Sequence, residues 1–209
     1  MKISIIGSGN IGATAARLFI AVGHEVTIAN RRGPHSLRPL QEELGAALNA
    51  ATVADAARFG EIILIAVPFG VIEELPADAF ARKIVIDANN YYPDRDGHVA
   101  ELDRGETTST EMLARRLPVA RVVKAFNTMY FATLSEAGDT NKPPDERLAL
   151  FLAGDDGEAK RVVINLIDQL GFTAIDTGDL SAGGRRQQPG AAIYNVNLTA
   201  AQARKALGQ

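Results

Sequence analysis

The sequence has no cysteine, no tryptophan and only three histidines. Without cysteine there is no disulfide, no thiolate nucleophile and no thiolate-bound zinc, which agrees with a reducing, cytoplasmic setting. His24, His35 and His98 sit in turn- or loop-like segments at spacings that build neither a metal site nor a Ser-His-Asp arrangement, and no paired carboxylates stand out. Charge of one sign is also lacking. Lys and Arg total 22 against 25 Asp and Glu, a net charge of −3, which argues against nucleic acid or an anionic membrane as partner. The longest apolar run, Ile62 to Ile72, falls well short of the ~20 residues that cross a bilayer. The first residues lead directly into a strand pattern, with no signal-peptide apolar region. There is no internal repeat and no low-complexity segment.

What is present is an ordinary globular composition. With 46% apolar and 22% charged residues over 209 positions, the chain suffices for one well-filled core and is short for two. The expectation is a single domain over 1–209, with 180–209 forming a C-terminal loop and helix.

The most informative segment is Lys2-Ile3-Ser4-Ile5-Ile6-Gly7-Ser8-Gly9-Asn10-Ile11-Gly12. An apolar strand runs into G-x-G-x-x-G and then into a helix whose Ile11, Ala15, Leu18, Phe19 and Val22 share one face. In that setting Gly7 permits the tight turn, Gly9 admits a pyrophosphate to the backbone, and Gly12 lets helix and strand approach closely. The helix N-terminus adds unpaired N–H groups and a positive dipole end.

The second strand, Glu25 to Ala29, indicates which dinucleotide. An NAD site places Asp or Glu at this strand's end to hold the ribose hydroxyls. Here the chain reads Asn30-Arg31-Arg32-Gly33-Pro34. No carboxylate repels a 2′-phosphate, and two guanidiniums match phosphate oxygens. The reading is NADP(H), with a solvated Arg-Arg turn as the bland alternative. His24 reads as an ordinary surface turn residue.

Beyond this unit, strand-like and helical segments alternate, the pattern of a doubly wound, mostly parallel Rossmann-like α/β sheet with a C-terminal helical extension. Ser36 to Leu48 reads as a helix, Ala51 to Val53 as a short edge strand, and Glu61 to Val67 as a strand covered on both faces. Lys83 to Ala88, Val119 to Ala125, Leu148 to Ala153 and Thr173 to Asp176 read as further strands. Asn89 to Glu106 reads as a long polar loop. Thr108 with Glu111 forms a capping-box pattern for a helix over Ser109 to Leu117. Asp155-Asp156-Gly157-Glu158 opens another helix. Ser181 to Gly190 reads as a flexible basic loop, and Ala191 to Leu207 as a terminal helix.

Ligands of open parallel sheets bind beyond the carboxyl ends of the strands. Besides the glycine turn, those ends carry Val67-Pro68-Phe69, Asn89-Asn90-Tyr91 and Ala125-Phe126-Asn127. The Val67–Phe69 and Ala125 backbones can flank a nicotinamide, the asparagines can offer amide groups, and Phe69 or Tyr91 can stack on a flat substrate. Pro68 and Phe69 read equally well as a strand stop and core filler. Lys124 reads as a proton donor or, more in keeping with how charged residues distribute, a surface cation. With no clear proton donor, exchange of hydride between two cofactors fits better than carbonyl reduction, because such cofactors bring their own reactivity.

Together, Gly-Ser-Gly-Asn-Ile-Gly, Asn30-Arg31-Arg32, Val67-Pro68, Val123-Lys124-Ala125-Phe126-Asn127-Thr128, Ala153-Gly154-Asp155-Asp156-Gly157-Glu158-Ala159-Lys160 and Asp176-Thr177-Gly178-Asp179-Leu180 resemble the F-420-dependent NADP reductase family, which includes the NADPH-oxidising domain of the STEAP metalloreductases. The resemblance implies NADPH held by Ser8, Gly9, Asn10 and Ile11 at the phosphates and by Asn30 and Arg31 at the 2′-phosphate. It also implies contacts near Val67, Asn90 and Ala125 toward the nicotinamide. The implied acceptor is the deazaflavin coenzyme F-420, or a flavin as in the metalloreductases, and the implied assembly is a homodimer. Gly183-Gly184-Arg185-Arg186-Gln187-Gln188-Pro189-Gly190 departs from the expected apolar helix. Arg185 and Arg186 read as a seat for an anionic deazaflavin tail or, equally, as a solvated basic loop. Other readings that remain are an NADPH-dependent flavin or metal reductase and a non-catalytic NADPH-sensing module.

Overall fold

The computed structural model describes residues 1–209. Eight strands form one sheet in the order β3-β2-β1-β4-β5-β6-β7-β8: β1 (Lys2–Ile6), β2 (Glu25–Ala29), β3 (Leu48–Ala51), β4 (Ile62–Ile65), β5 (Ile84–Asp87), β6 (Arg121–Ala125), β7 (Ala149–Gly154) and β8 (Thr173–Asp176). β1 to β6 run parallel; β7 is antiparallel to β6, and β8 follows β7 in parallel. The ten helices are α1 (Asn10–Ala21), α2 (Arg38–Leu44), α3 (Val53–Phe59), α4 (Pro93–Asp96), α5 (Ala100–Asp103), α6 (Ser109–Arg116), α7 (Phe131–Glu136), α8 (Gly157–Gln169), α9 (Ala182–Arg186) and α10 (Ala200–Leu207). This is a Rossmann-like α/β architecture.

The central strand β4 is apolar throughout because both sheet faces are covered there. In β4, Ile62 and Leu64 enter one core cluster with Phe19 of α1 and Val163 of α8. Ile63 and Ile65 point the other way, into a cluster with Ala56 of α3 and Leu113 of α6. The strand order turns outward in both directions from the β1–β4 pair, so a crevice opens beyond the carboxyl ends of those two strands.

Helix boundaries follow local chemistry. Thr108 caps α6 with the reciprocal Glu111 bond expected from the sequence. Asp156 caps α8 and also receives two bonds from Arg121, at 2.6 and 2.9 Å. These bonds hold the Asp156 carboxyl down to about 2, against an unfolded value of 3.8. A depressed carboxylate stabilises the fold above its unfolded pKa and loses that contribution as pH falls through the folded one. In thermal unfolding at stepped pH, Asp156→Asn, which keeps the cap, should melt below wild type at pH of about 6, with the gap shrinking toward pH of about 3. A gap independent of pH would assign the pair no charge contribution.

Several sequence readings need correction. Ser36 to Leu48 is not one helix: a 3-10 turn (Pro34–Leu37) leads into α2, a second follows (Gly45–Ala47), and the strand begins at Leu48 rather than Ala51. Thr52, read as strand, instead caps α3, which the sequence reading omitted. The 89–106 stretch contains two helical turns, α4 and α5, not a plain loop. The tail differs most. Gly183 and Gly184 lie buried in α9, and a Cβ on Gly183 would come within 2.8 Å of the Thr177 carbonyl carbon, so Gly183 serves close approach rather than flexibility. The terminal helix is confined to α10; residues before it cross back over the sheet, with Leu148 bridging to Thr199.

Candidate active site

Beyond the carboxyl ends of β1, β4, β5 and β6 lies a cleft of about 450 Å³. Gly9, Asn10 and Ile11 form one wall, Ala66 to Pro68 and Ala88 to Asn90 the floor, and Asn127 to Phe131 the opposite wall. Tyr92, Arg95, Tyr194 and Asn195 close the far side.

The three glycines of the first turn do different work. Gly7 has φ 111°, and a Cβ there would sit 2.1 Å from the Ala66 carbonyl oxygen. A Cβ on Gly12 would lie 1.9 Å from the Gly7 carbonyl oxygen. Both are required by the fold itself. Gly9 has φ −72°, and a Cβ there would meet nothing within 4 Å. No part of the protein requires glycine at position 9. It is also the N-cap of α1, which has no side-chain cap and no acidic residue in its first turn, whereas α3, α6, α8 and α10 are all capped by side chains. The leading N–H groups of α1 thus face the cleft without a protein acceptor from a cap, in the arrangement that receives anions.

At the end of β2, Asn30 braces the glycine turn. Its Nδ2 donates to Ser8 Oγ at 2.8 Å and Ser36 Oγ at 2.9 Å, and its Oδ1 accepts from the Arg32 N–H at 2.9 Å. The amide is therefore spent on structure, unlike the ligand role the resemblance implies. Arg31 is free: its side chain is 80% exposed and its nearest acid, the exposed Glu74, is 4.0 Å away.

The floor is built from amides. Asn89 Oδ1 accepts from the Val67 N–H at 2.8 Å, which fixes the side chain and leaves its buried Nδ2 without a partner. Asn127 Nδ2 donates to the Gln187 carbonyl at 2.8 Å and Asn90 Oδ1 at 3.0 Å, leaving its buried Oδ1 without a partner. One donor and one acceptor thus stand unspent in residues that line the cleft, an unusual cost in a folded protein unless a ligand meets them. Beneath them lies a group the sequence reading misplaced. Lys124 is not a surface cation: it is 1% exposed and pairs at 3.1 Å with the equally buried Asp87, its register partner on β5. Burial pushes the Lys124 ammonium below its usual range, with Asp87 opposing. Asp87 also accepts from Thr110 Oγ1 at 2.6 Å and from the Asn89 N–H at 3.0 Å, and Lys124 donates to the Asn89 carbonyl. The network clamps Asn89 from both sides.

Other expected contacts are relocated. Phe69 is 4% exposed and packs edge-on against Tyr91 at 5.6 Å, so it is core filler. Tyr91 bonds to Asp103 and Val99 outside the cleft. Ala125 is wholly buried in the core. Phe126 follows it with φ 64°, a strained conformation for a non-glycine residue, held by burial against Phe19. That turn is what sends Asn127 to Phe131 along the cleft. Arg185 donates to the Gly105 carbonyl, and Arg186 lines a separate groove with Ile193 and Leu207; neither reaches the cleft. The aromatic groups that do line it, Tyr92, Tyr130, Phe131 and Tyr194, were missed by the sequence reading. Tyr194 comes from the tail, anchored where Asn195, at φ 55°, donates its N–H to the Thr128 carbonyl.

Comparison with known proteins bears on this cleft directly. The profile described as NADP oxidoreductase, coenzyme F420-dependent, matches residues 2–91, the glycine turn through the Asn89–Asn90 floor. An F420-dependent NADP reductase from Methanocaldococcus jannaschii is 27% identical over 205 residues, spanning 86% of this chain and 85% of that protein. The chain is thus similar to F420-dependent NADP oxidoreductases, through the profile over its first half and through a relative along most of its length. A crystal structure from Arthrobacter sp. FB24, described as an F420-dependent NADP reductase, superimposes on this chain with TM-score 0.76 at 28% identity, covering 95% of this chain and 99% of that one. The metalloreductase STEAP3 of Rattus norvegicus is 29% identical over 186 residues, but the chain spans only 34% of its length. These similarities identify the protein as an NADP-dependent oxidoreductase. No helix is long and apolar enough to cross a membrane.

Proposed function

We propose that the cleft holds NADPH with its pyrophosphate on the α1 N-terminus, its 2′-phosphate at Arg31 and Arg32, and its nicotinamide over the Asn89–Asn127 floor, and that the co-substrate is a planar deazaflavin or flavin. When bound, the reduced nicotinamide supplies a hydride. The observation that carries the reading is Gly9, whose missing side chain leaves open only the space in front of the uncapped helix. The unspent Asn89 donor and Asn127 acceptor match the two halves of a carboxamide, so the residues present fit a nicotinamide. Clamped by Asp87 and Lys124, Asn89 is oriented before any ligand arrives, which favours a fixed ring position. Tyr130, 56% exposed at the rim beside Phe131, offers a stacking face for a second flat ring.

The test is NADPH oxidation by purified protein with coenzyme F420, flavin mononucleotide and a simple quinone as acceptors. Turnover with at least one isoalloxazine-like ring is expected. Tight NADPH binding with no acceptor reduced would replace the enzyme reading by a nucleotide sensor. Arg31→Ala should weaken NADPH by about tenfold or more, the worth of a charge-assisted bond, and leave NADH little changed. Equal losses for both nucleotides would make Arg31 structural.

A further inference from the structure

The far wall of the cleft contains a hydrogen that the protein does not use. Tyr92 and Tyr194, 102 residues apart in sequence, meet hydroxyl to hydroxyl. Asn90 Nδ2 donates toward the Tyr194 oxygen at 3.4 Å, and Arg95 lies over the Tyr92 ring, 4.9 Å from its centroid. Two phenols carry two hydroxyl hydrogens. Whichever phenol donates to the other, one hydrogen is consumed between them and the second has no protein acceptor, while both rings line the cleft. Burial, and Tyr92 beside it, push the Tyr194 hydroxyl above the usual phenol range, so it stays protonated and acts as a donor.

We propose that the Tyr92–Tyr194 pair is the hydrogen-bond donor to the heteroatom edge of the acceptor ring. The inference rests on the reading that a second planar substrate is reduced in this cleft. Such a ring receives two electrons and one proton with the hydride, so negative charge develops on its nitrogen–carbonyl edge until a second proton arrives. A preorganised phenol at that edge stabilises the charge, and the proton finally taken up is replaced from solvent through the partner phenol at the rim. Electrons and protons then balance: one hydride and one proton enter the acceptor, and the pair ends as it began. A donor on this wall was not evident from sequence, where no proton source stood out.

The pair makes a distinctive prediction, because either phenol alone still has a hydrogen to give. Tyr92→Phe and Tyr194→Phe should each lower kcat by less than about fivefold, and the double variant by about a hundredfold, the scale of losing one preorganised donor. Titration of oxidised coenzyme F420 and flavin mononucleotide into the NADP⁺-loaded protein, read by fluorescence, should show weaker acceptor binding in the double variant. Its affinity for NADPH should match wild type. A double variant with wild-type acceptor affinity and kcat would overturn the pair's role while leaving the proposed function standing. So would two single variants that are each as damaged as the double. A wild-type protein that neither binds nor reduces any acceptor would overturn the functional reading and this inference with it.

Discussion

Gly12→Ala is expected to fail to fold, whereas Gly9→Val folds, melts within a few degrees of wild type and binds no NADPH. The contrast follows from what surrounds the two backbones. A Cβ at position 12 would sit 1.9 Å from the Gly7 carbonyl oxygen, with Ile5 behind it at 3.3 Å, so α1 could not lie against β1. A fully packed interior does not yield that distance without moving a helix. At position 9 the backbone is extended, a region any residue adopts, and the added atoms enter empty space. That space is where a pyrophosphate must approach the N–H groups of α1. Circular dichroism and thermal melting read the first half, and calorimetric titration the second. A folded Gly12→Ala protein of normal stability would contradict the geometry of the turn. A Gly9→Val protein that binds NADPH normally would put the phosphates elsewhere.

The second large effect is expected at the buried pair beneath the floor. Asp87→Ala leaves the Lys124 ammonium in a site 1% exposed, facing only the Asn89 carbonyl. Removing one partner of a buried ion pair costs about 3–5 kcal/mol, most of it the unmet desolvation of the survivor. Replacing both groups is milder for the same reason. The double variant Asp87→Asn with Lys124→Met keeps Oδ1 as acceptor for the Asn89 N–H, turns an amide donor toward Thr110 Oγ1, whose hydroxyl can accept it, and removes the charges together. It should regain most of the stability lost in Asp87→Ala, as read by denaturant unfolding, yet still bind NADPH more weakly, because Lys124 no longer clamps the Asn89 carbonyl. A loss below about 1 kcal/mol in Asp87→Ala would mean that water reaches the site and that the pair organises nothing.

Those two predictions draw on features that the sequence exposes very unequally. The glycine turn was legible because a strand, three glycines at fixed spacing and a helix leave little conformational choice. β1, β4 and β8 were legible too, as short apolar runs between turn residues, and α6 through its Thr108–Glu111 capping box. Lys124 was not, because a strand-end lysine looks the same whether it meets water or a carboxylate. Only the parallel register that sets Lys124 opposite Asp87 identifies the partner. β3 was displaced because Leu48-Asn49-Ala50-Ala51 has too little apolar alternation to separate it from the helix before it. The aromatic wall was hidden for a different reason. Phe69 and Tyr91 stand at strand ends, where ligand contacts are expected, but their rings turn into the core and the solvent-side helical turns. Tyr194 reaches the cleft only because the tail doubles back to Thr128, a contact between distant parts of the chain that no local pattern announces.

The end of β2 suits NADPH in particular. The chain has Asn30, already committed to Ser8 and Ser36, where an NAD site has an acid, and an unencumbered Arg31 next to it. Calorimetric titration of NADPH and of NADH into the wild-type protein under identical conditions tests this most directly. NADPH should bind at least about tenfold more tightly, the difference of one charge-assisted hydrogen bond to the 2′-phosphate; equal affinities, or a preference for NADH, would contradict the account.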